Sequence, residues 1–198
     1  MKTKILVIAL LVSASFAASP LHACQPRLLT NFAADLEDGE HVFVMKYHDK
    51  ETFEYPVSGV YRKGSGKELI WEYHGFYDGF NLQNRISSTG RYFIQAEFRI
   101  REELLPSDYP LDQYVALSIY DRGNLIGEFT MDTFISRASL DEYIARMESS
   151  NQIFMCEPWS WGHMEYDKLL DQISVRSAAQ RTVVIDVQTA QIEYIDEY

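Results

Sequence analysis

Short stretches of alternating apolar and polar residues, separated by turns of small residues, run through most of the chain. The clearest example is residues 58–98, where two pairs of apolar-aromatic segments each flank such a turn. Gly64 and Gly66 lie in the first turn and Gly90 ends the second, and glycine tolerates the positive φ angles that tight hairpins need. Alternation with a period of two is typical of half-buried strands. This stretch therefore predicts two antiparallel hairpins.

The same design returns twice downstream, which indicates a weak internal repeat of the kind seen in propeller blades. We predict a mainly β fold: a single domain of antiparallel β-hairpins with one or two short helices. The sheets are expected to form an open sheet, a sandwich or a partial propeller-like arrangement, with about nine to eleven strands. The further strands are predicted at residues 41–47, 113–120, 125–130, 170–177, 181–187 and 192–194.

Two segments have helical spacing instead. Residues 26–36 place apolar side chains three and four residues apart, which predicts a short helix. Residues 139–149 predict a second helix, with Ser139 as N-cap and Glu142 three residues later as its capping-box partner. A short helical turn is expected just before it, at residues 132–135.

The first 23 residues have the layout of a secretory signal peptide. Lys2 and Lys4 precede an apolar stretch at residues 5–18, which is too short for a transmembrane helix. We expect cleavage after Ala23, with Ala17 as the second choice, and residues 24–198 as the exported periplasmic or extracellular domain. No transmembrane segment is expected in the mature chain.

Charge narrows the classes of partner. The whole chain has a net charge of −11, and removal of the two signal lysines makes it more acidic still. Such a surface repels phosphate groups, which argues against nucleic acid and anionic lipid as partners. An acidic surface is also a common source of solubility in its own right.

The two cysteines, Cys24 and Cys156, both fall in the predicted mature chain. In an oxidising compartment an even cysteine count indicates a disulfide bond between them. The alternative is that residues 21–24 form a lipobox, whose cysteine carries a lipid anchor. Both interpretations stay open at this point.

Sequence motifs for catalysis, metal binding or nucleotide binding do not rise above background. The histidines of the mature chain, His41, His48, His74 and His163, show no zinc-ligand spacing. Ser65 lies between two glycines, but a hairpin turn is the simpler explanation than a nucleophile elbow. We therefore expect no cofactor and no metal.

The best candidate site is an aromatic one. Trp159, Trp161 and His163 alternate, so a strand would present all three on one face as a possible aromatic binding surface. Such a row can stack on sugar rings or on apolar side chains of a partner. The alternative is that these tryptophans belong to the core, which is the commoner fate of tryptophan.

Four motifs, taken in order, resemble a family of exported bacterial proteins. They read V-Y-R-K-G-S-G-K-E-L-I-W, I-S-S-T-G-R-Y-F-I, A-L-S-I-Y-D-R-G-N-L-I-G-E-F and V-V-I-D-V-Q-T-A-Q-I. The family's hairpins have the forms LYRNDGS…LW, VSSDGR, ALSFYADGRLL and FDVTTGEI. Thr89, Arg122 and Ala190 depart from that pattern at turns. The resemblance covers residues 57–194 and implies a small exported β-rich domain, but no activity.

These observations together predict an exported, non-catalytic binding or structural module. A lipid-anchored envelope lipoprotein, attached through Cys24, is the first alternative. A hydrolase acting on envelope polymers is the second. Envelope proteins or glycans are the candidate partners.

Overall fold

The computed structural model describes residues 30–49, 52–64, 66–74, 82–100, 104–149 and 160–196. These residues form mainly β structure, as predicted. They contain one α-helix and twelve strands, where about nine to eleven were expected. The strands are β1 Phe32–Asp35, β2 His41–Met45, β3 Gly59–Arg62, β4 Leu69–Glu72, β5 Leu82–Ile86, β6 Tyr92–Glu97, β7 Val115–Asp121, β8 Asn124–Thr130, β9 Gly162–Asp167, β10 Gln172–Ser177, β11 Thr182–Asp186 and β12 Gln191–Asp196. The helix is α1, Arg137–Ser149, and short 3-10 turns occupy Leu111–Gln113 and Met131–Thr133.

The strands form three antiparallel sheets of four, each a meander of consecutive strands. The first sheet holds β1 to β4, the second β5 to β8 and the third β9 to β12, each in chain order. Every strand therefore pairs only with its neighbours along the chain. Hairpins and turns of small residues account for this order, because each turn returns the chain beside the strand it has just left.

The predicted helix at residues 26–36 is wrong within the part that the structure describes. Phe32–Asp35 is strand β1, paired antiparallel with β2 from Phe32 opposite Met45 to Asp35 opposite Val42. Asn31 fixes this register, since its side-chain oxygen accepts hydrogen bonds from the backbone N–H groups of Tyr47 and His48 at 2.7 and 2.9 Å. Pairing with β2 has overridden the local helical spacing.

The second predicted helix is confirmed, but it begins earlier than its capping box suggested. Helix α1 starts at Arg137, and the hydroxyl of Ser136 accepts a hydrogen bond from the backbone N–H of Ser139 at 3.2 Å. Ser136 therefore does the capping that was assigned to Ser139. Leu140 and Ile144 lie one turn apart on the buried side.

A bulge at the same place relates the three sheets to one another. In each sheet the fourth strand has one extra residue relative to the third: Ile70 in β4, Ile126 in β8 and Glu193 in β12. A bulge bends its strand and increases the local twist. The shared bulge gives a structural alignment of the sheets that the weak sequence repeat only hinted at.

The residues just past each bulge define a row of four that crosses each sheet, which we call the central row. In the first sheet it is Ala34, Phe43, Val60 and Trp71. In the second it is Arg85, Ile94, Ile119 and Gly127. In the third it is Glu165, Ser174, Val184 and Tyr194.

The central rows of the first two sheets face the sheet that follows. Phe43 of the first sheet stacks on Phe93 of the second, with ring centroids 5.5 Å apart. Ile94 and Ile119 of the second sheet lie in a core with Val175 and Val183 of the third. The second sheet thus contributes one face to each of two cores, and α1 packs against the larger one.

The outer faces of the first and third sheets differ in what covers them. On the first sheet, the face turned away from the second carries Val42, Val44 and Tyr61, and residues 53–57 pack over it. The Tyr61 hydroxyl donates a hydrogen bond to the Val57 carbonyl oxygen at 2.9 Å and fastens that cover. The third sheet has no comparable apolar cover among the described residues, and its far face is polar.

Two predictions concern residues outside the described part of the chain. One is the signal peptide at residues 1–23, and the other is the disulfide bond between Cys24 and Cys156. Among the described residues, no helix combines the length and the apolar character that crossing a membrane would require.

Candidate binding face on the third sheet

The structure separates the residues predicted to form an aromatic surface. Trp159 lies outside the described residues. Trp161 is fully buried, 5.1 Å from the ring of Phe98 and 6.0 Å from that of Phe134. His163, two residues later in β9, is exposed. Trp161 is thus a core residue, the alternative that the sequence left open, and only His163 of the described pair faces solvent.

Backbone contacts explain why Trp161 turns inward. Its N–H donates to the Phe98 carbonyl oxygen at 2.9 Å, and its own carbonyl accepts from the N–H of Ala178 at 2.7 Å. These bonds fix the segment before β9 between the second and third sheets. Alternation along β9 then buries Met164 and exposes His163 and Glu165.

The exposed side of the third sheet is the far face, which we define by two adjacent rows. One is the central row of Glu165, Ser174, Val184 and Tyr194. The other is His163, Arg176, Thr182 and Asp196, two residues further along each strand and therefore on the same face. Alternation places Ile173, Val175, Val183 and Ile185 on the opposite side, in the core.

Equivalent positions in the three sheets show how unusual this face is. Trp71 and Tyr194 occupy the same place past the bulge, but Trp71 is 6% exposed and Tyr194 is 55% exposed. The indole N–H of Trp71 donates to the Gly90 carbonyl oxygen of the second sheet at 2.7 Å. Phe43 and Ile94, both apolar and buried, correspond to the polar Ser174. The positions that contact the next sheet in the first two sheets are therefore mainly polar and solvent-facing in the third.

A shallow concavity of about 360 Å³ lies on this face. The ring of Tyr194 and the side chain of Val184 supply its apolar part. Arg176 supplies positive charge and donates a hydrogen bond from Nη2 to the Gln180 side-chain oxygen at 2.5 Å. The remaining lining residues, Thr182 and Asp196, add a hydroxyl and a carboxylate.

Charge across the far face is mixed. Arg176 and Asp196 lie in the same row with Thr182 between them. His163 and Glu165 lie along β9, with 3.9 Å between the His163 Nε2 and a Glu165 carboxylate oxygen. A ligand on this face therefore meets side chains of both charges, which can donate or accept hydrogen bonds, around the exposed ring of Tyr194.

A second concavity, of about 300 Å³, lies beside the first sheet and is a weaker candidate. Its lysine, Lys46, already donates to the Pro56 carbonyl oxygen and contacts the Asp49 carboxylate, both at 2.6 Å. The hydrogen bond from Lys46 lowers the pKa of Asp49. These polar groups already form hydrogen bonds and an ion pair with one another, so fewer donors and acceptors remain to bind a ligand.

Metal binding gains no support from side-chain positions. Within the described residues, no group of three or more His, Cys, Asp or Glu side chains comes together as metal ligands could. The donors on the far face are spread along different strands.

Sequence reasoning placed a short edge strand at residues 192–194 but did not single out Tyr194 or Arg176. One signal was available in the sequence. Residues 92–96 are apolar at four of five positions and on both faces of the strand, whereas residues 172–176 alternate between apolar and polar. That change marks a sheet with one solvent-facing side, and a tyrosine on such a side is a candidate contact residue.

Comparison of the sequence with protein family models and with curated proteins found no match. The resemblance to exported bacterial proteins consequently depends on the four hairpin motifs alone.

Proposed function

We propose that this protein is an exported, non-catalytic binding module whose ligand is a glycan of the cell envelope, held on the far face of the third sheet. The observation that carries the proposal is the concavity in which the exposed Tyr194 ring lies beside Arg176, Gln180 and Asp196. Sugar rings have apolar faces that stack on aromatic side chains, and their hydroxyls accept and donate hydrogen bonds to amides, carboxylates and guanidinium groups.

The net charge favours one class of glycan. A chain with a charge of −11 repels polyanions, so a neutral or amino-sugar polymer fits better than a uronic-acid or phosphate-rich one. Arg176 and Asp196 also serve a neutral ligand better, because together they offer donors and acceptors to hydroxyl groups.

The positions of the far-face carboxylates favour binding over hydrolysis. A glycosidase needs two carboxyl groups about 5–10 Å apart. In the two rows of the far face, Glu165 and Asp196 lie on β9 and β12, the outer strands of the sheet, so that roughly 14 Å of sheet separates them. The hydrolase alternative has no comparable support.

Co-sedimentation of the purified protein with insoluble cell-wall polymer tests the proposal. We expect wild type to sediment with the polymer and Tyr194→Ala to stay in solution, because stacking on an aromatic ring is worth about 1 kcal/mol or more. Arg176→Ala should weaken binding as well. Leu169→Ala is the matched control, since Leu169 is 96% exposed in the turn after β9 and lies off this face. Equal sedimentation of wild type and Tyr194→Ala would reject the far face as the binding site.

The mode of export has its own test. Mass spectrometry of the mature N-terminus distinguishes a Cys24–Cys156 disulfide from a diacylated Cys24. We propose the disulfide form, in which Cys24 carries no lipid and reduction adds two hydrogen atoms, that is two protons and two electrons, to the chain.

A further inference from the structure

The outer edge of the third sheet has a feature that glycan binding does not use. Strand β12 is the last strand of its sheet and pairs only with β11 in the part of the chain that the structure describes. Among the described residues, no strand lies opposite the backbone N–H and C=O groups on its other side. An exposed strand edge is a template for a further strand.

The corresponding strand of the first sheet is partly covered. The turn between β7 and β8 lies against β4, since a Cβ on Gly123 would come within 2.7 Å of the Glu72 carbonyl oxygen. The turn between β11 and β12 contacts the face of β8, where a Cβ on Gly127 would lie 2.5 Å from the Ala190 Cβ. No third turn of this kind reaches β12 among the described residues.

Strand β12 also has the side chains of a docking strand. Ile192 and Ile195 are 41% and 40% exposed, and Tyr194 is 55% exposed on the other side of the strand. The strand carries two acidic residues, Glu193 and Asp196, and no basic residue. Its apolar side chains alternate in direction, so an added strand would find apolar contacts on both sides of the sheet.

We propose that β12 binds an extended, basic segment of a partner protein by strand addition, in which alternate apolar side chains of the segment contact Ile192 and Ile195. Charge complementarity with Glu193 and Asp196 selects a basic segment. A second copy of this chain fits less well, because its own β12 would bring the same acidic side chains to the edge. This proposal shares Asp196 with the concavity but does not depend on glycan binding, since the backbone edge of β12 and the core-side Ile192 and Ile195 carry the strand addition.

The test is an NMR titration of the full ¹⁵N-labelled mature protein with a capped heptapeptide of alternating lysine and valine. We expect shifts confined to the amides of β12 and its neighbours, and hydrogen exchange of alternate β12 amides slowed by about tenfold or more at saturation. The same peptide with glutamate in place of lysine should bind at least about tenfold more weakly, because it meets Glu193 and Asp196.

Two variants separate this surface from the glycan face. Ile192→Lys with Ile195→Lys should weaken peptide binding about tenfold or more, since edge lysines oppose strand pairing and repel a basic peptide. Both side chains are partly exposed, and an unchanged melting temperature will show that the fold is intact. Arg176→Ala should leave peptide binding unchanged while weakening sedimentation with cell-wall polymer.

Three results would overturn the proposal. One is an equal affinity for the acidic and basic peptides. Another is shifts that lie outside β12, or no shift at millimolar peptide. The third is protection of the β12 amides that grows with protein concentration alone, which would assign the edge to a second copy of the chain.

Discussion

The first and third sheets share a topology and a bulge, but the residues next to that bulge are buried in the first sheet and face outward in the third. In the first sheet Phe43, Val60 and Trp71 are buried against the second sheet. In the third sheet Ser174, Val184 and Tyr194 occupy the same places and face outward. The same backbone can therefore build either a core or a surface, and the side chains at three positions decide which.

The two sheets also show two ways to treat a face that no other sheet covers among the described residues. In repeat proteins, terminal units need a polar outer face, because an apolar one would recruit further units or aggregate. The third sheet meets this requirement with its own side chains. The first sheet meets it with a separate segment, residues 53–57, which covers Val42, Val44 and Tyr61.

Truncation of the two equivalent aromatic residues, Trp71 and Tyr194, should show the largest difference between the two sheets. Trp71→Ala should lower the free energy of unfolding by about 3–5 kcal/mol, because it leaves a cavity and removes the hydrogen bond to Gly90. Tyr194→Ala should cost about 0.5 kcal/mol or less, as exposed positions usually do. Urea unfolding of both variants measures the difference. Similar losses for the two would contradict the assignment of Tyr194 to a surface.

The glycine that occupies this place in the second sheet should be the next most sensitive. A Cβ on Gly127 would lie 2.5 Å from the Cβ of Ala190, so Gly127→Ala should destabilise by about 1–3 kcal/mol through overpacking. Ala190→Gly in the same chain should restore most of that loss. A double-mutant cycle by thermal unfolding checks this, and additive effects would show that the two residues do not meet.

Ala190 on its own should give a gain in stability. It has a φ of +51°, in the left-handed region that costs a residue with a Cβ about 1–2 kcal/mol, whereas the equivalent turn of the second sheet uses Gly123 at +80°. Glycine also has greater conformational entropy in the unfolded chain, which opposes part of this gain. After that cost is subtracted, Ala190→Gly should stabilise the protein by roughly 0.5–1 kcal/mol. A lower melting temperature would indicate that contact of the Ala190 methyl with β8 outweighs the strain.

The smallest effect expected is a pH dependence at the junction of β6 and β7. Arg91 donates to Asp121 from Nε at 3.0 Å and from Nη2 at 2.8 Å, and this pairing lowers the pKa of Asp121. A carboxyl with a lowered pKa stabilises the fold above its unfolded pKa, and the contribution is lost as pH falls through the folded value. Asp121→Asn should remove that part of the acid dependence. The pair is partly exposed, so the change should be slight and should fade in high salt.

Much of the fold was predictable because its signals are local. Alternation and small-residue turns located the strands around Gly90 and Gly123, and the hairpin order follows from chain connectivity. The strand at Phe32–Asp35 was not predictable in this way, since its apolar spacing fits a helix equally well. Its pairing with β2, held by Asn31, decides the outcome.

The candidate site was less predictable, for a physical reason. Trp161 and His163 differ in exposure because the chain before β9 is bound to Phe98, which lies more than sixty residues earlier. Tyr194 became a candidate only through its equivalence to Trp71, which depends on the bulge register. Neither relation is visible in a local pattern of residues.

The pairing of each strand only with its neighbours also bears on how the chain reaches its native state. Contacts between residues close in sequence need little loop closure, and topologies rich in them fold faster than other β proteins of the same size. Each meander can begin to form while later parts of the chain are still being synthesised. Ile94 and Ile119 share their core with α1 and with the third sheet, both of which follow them in the chain. Until those parts are made, this apolar face of the second sheet is exposed, and the nascent chain is most prone to aggregation at that stage.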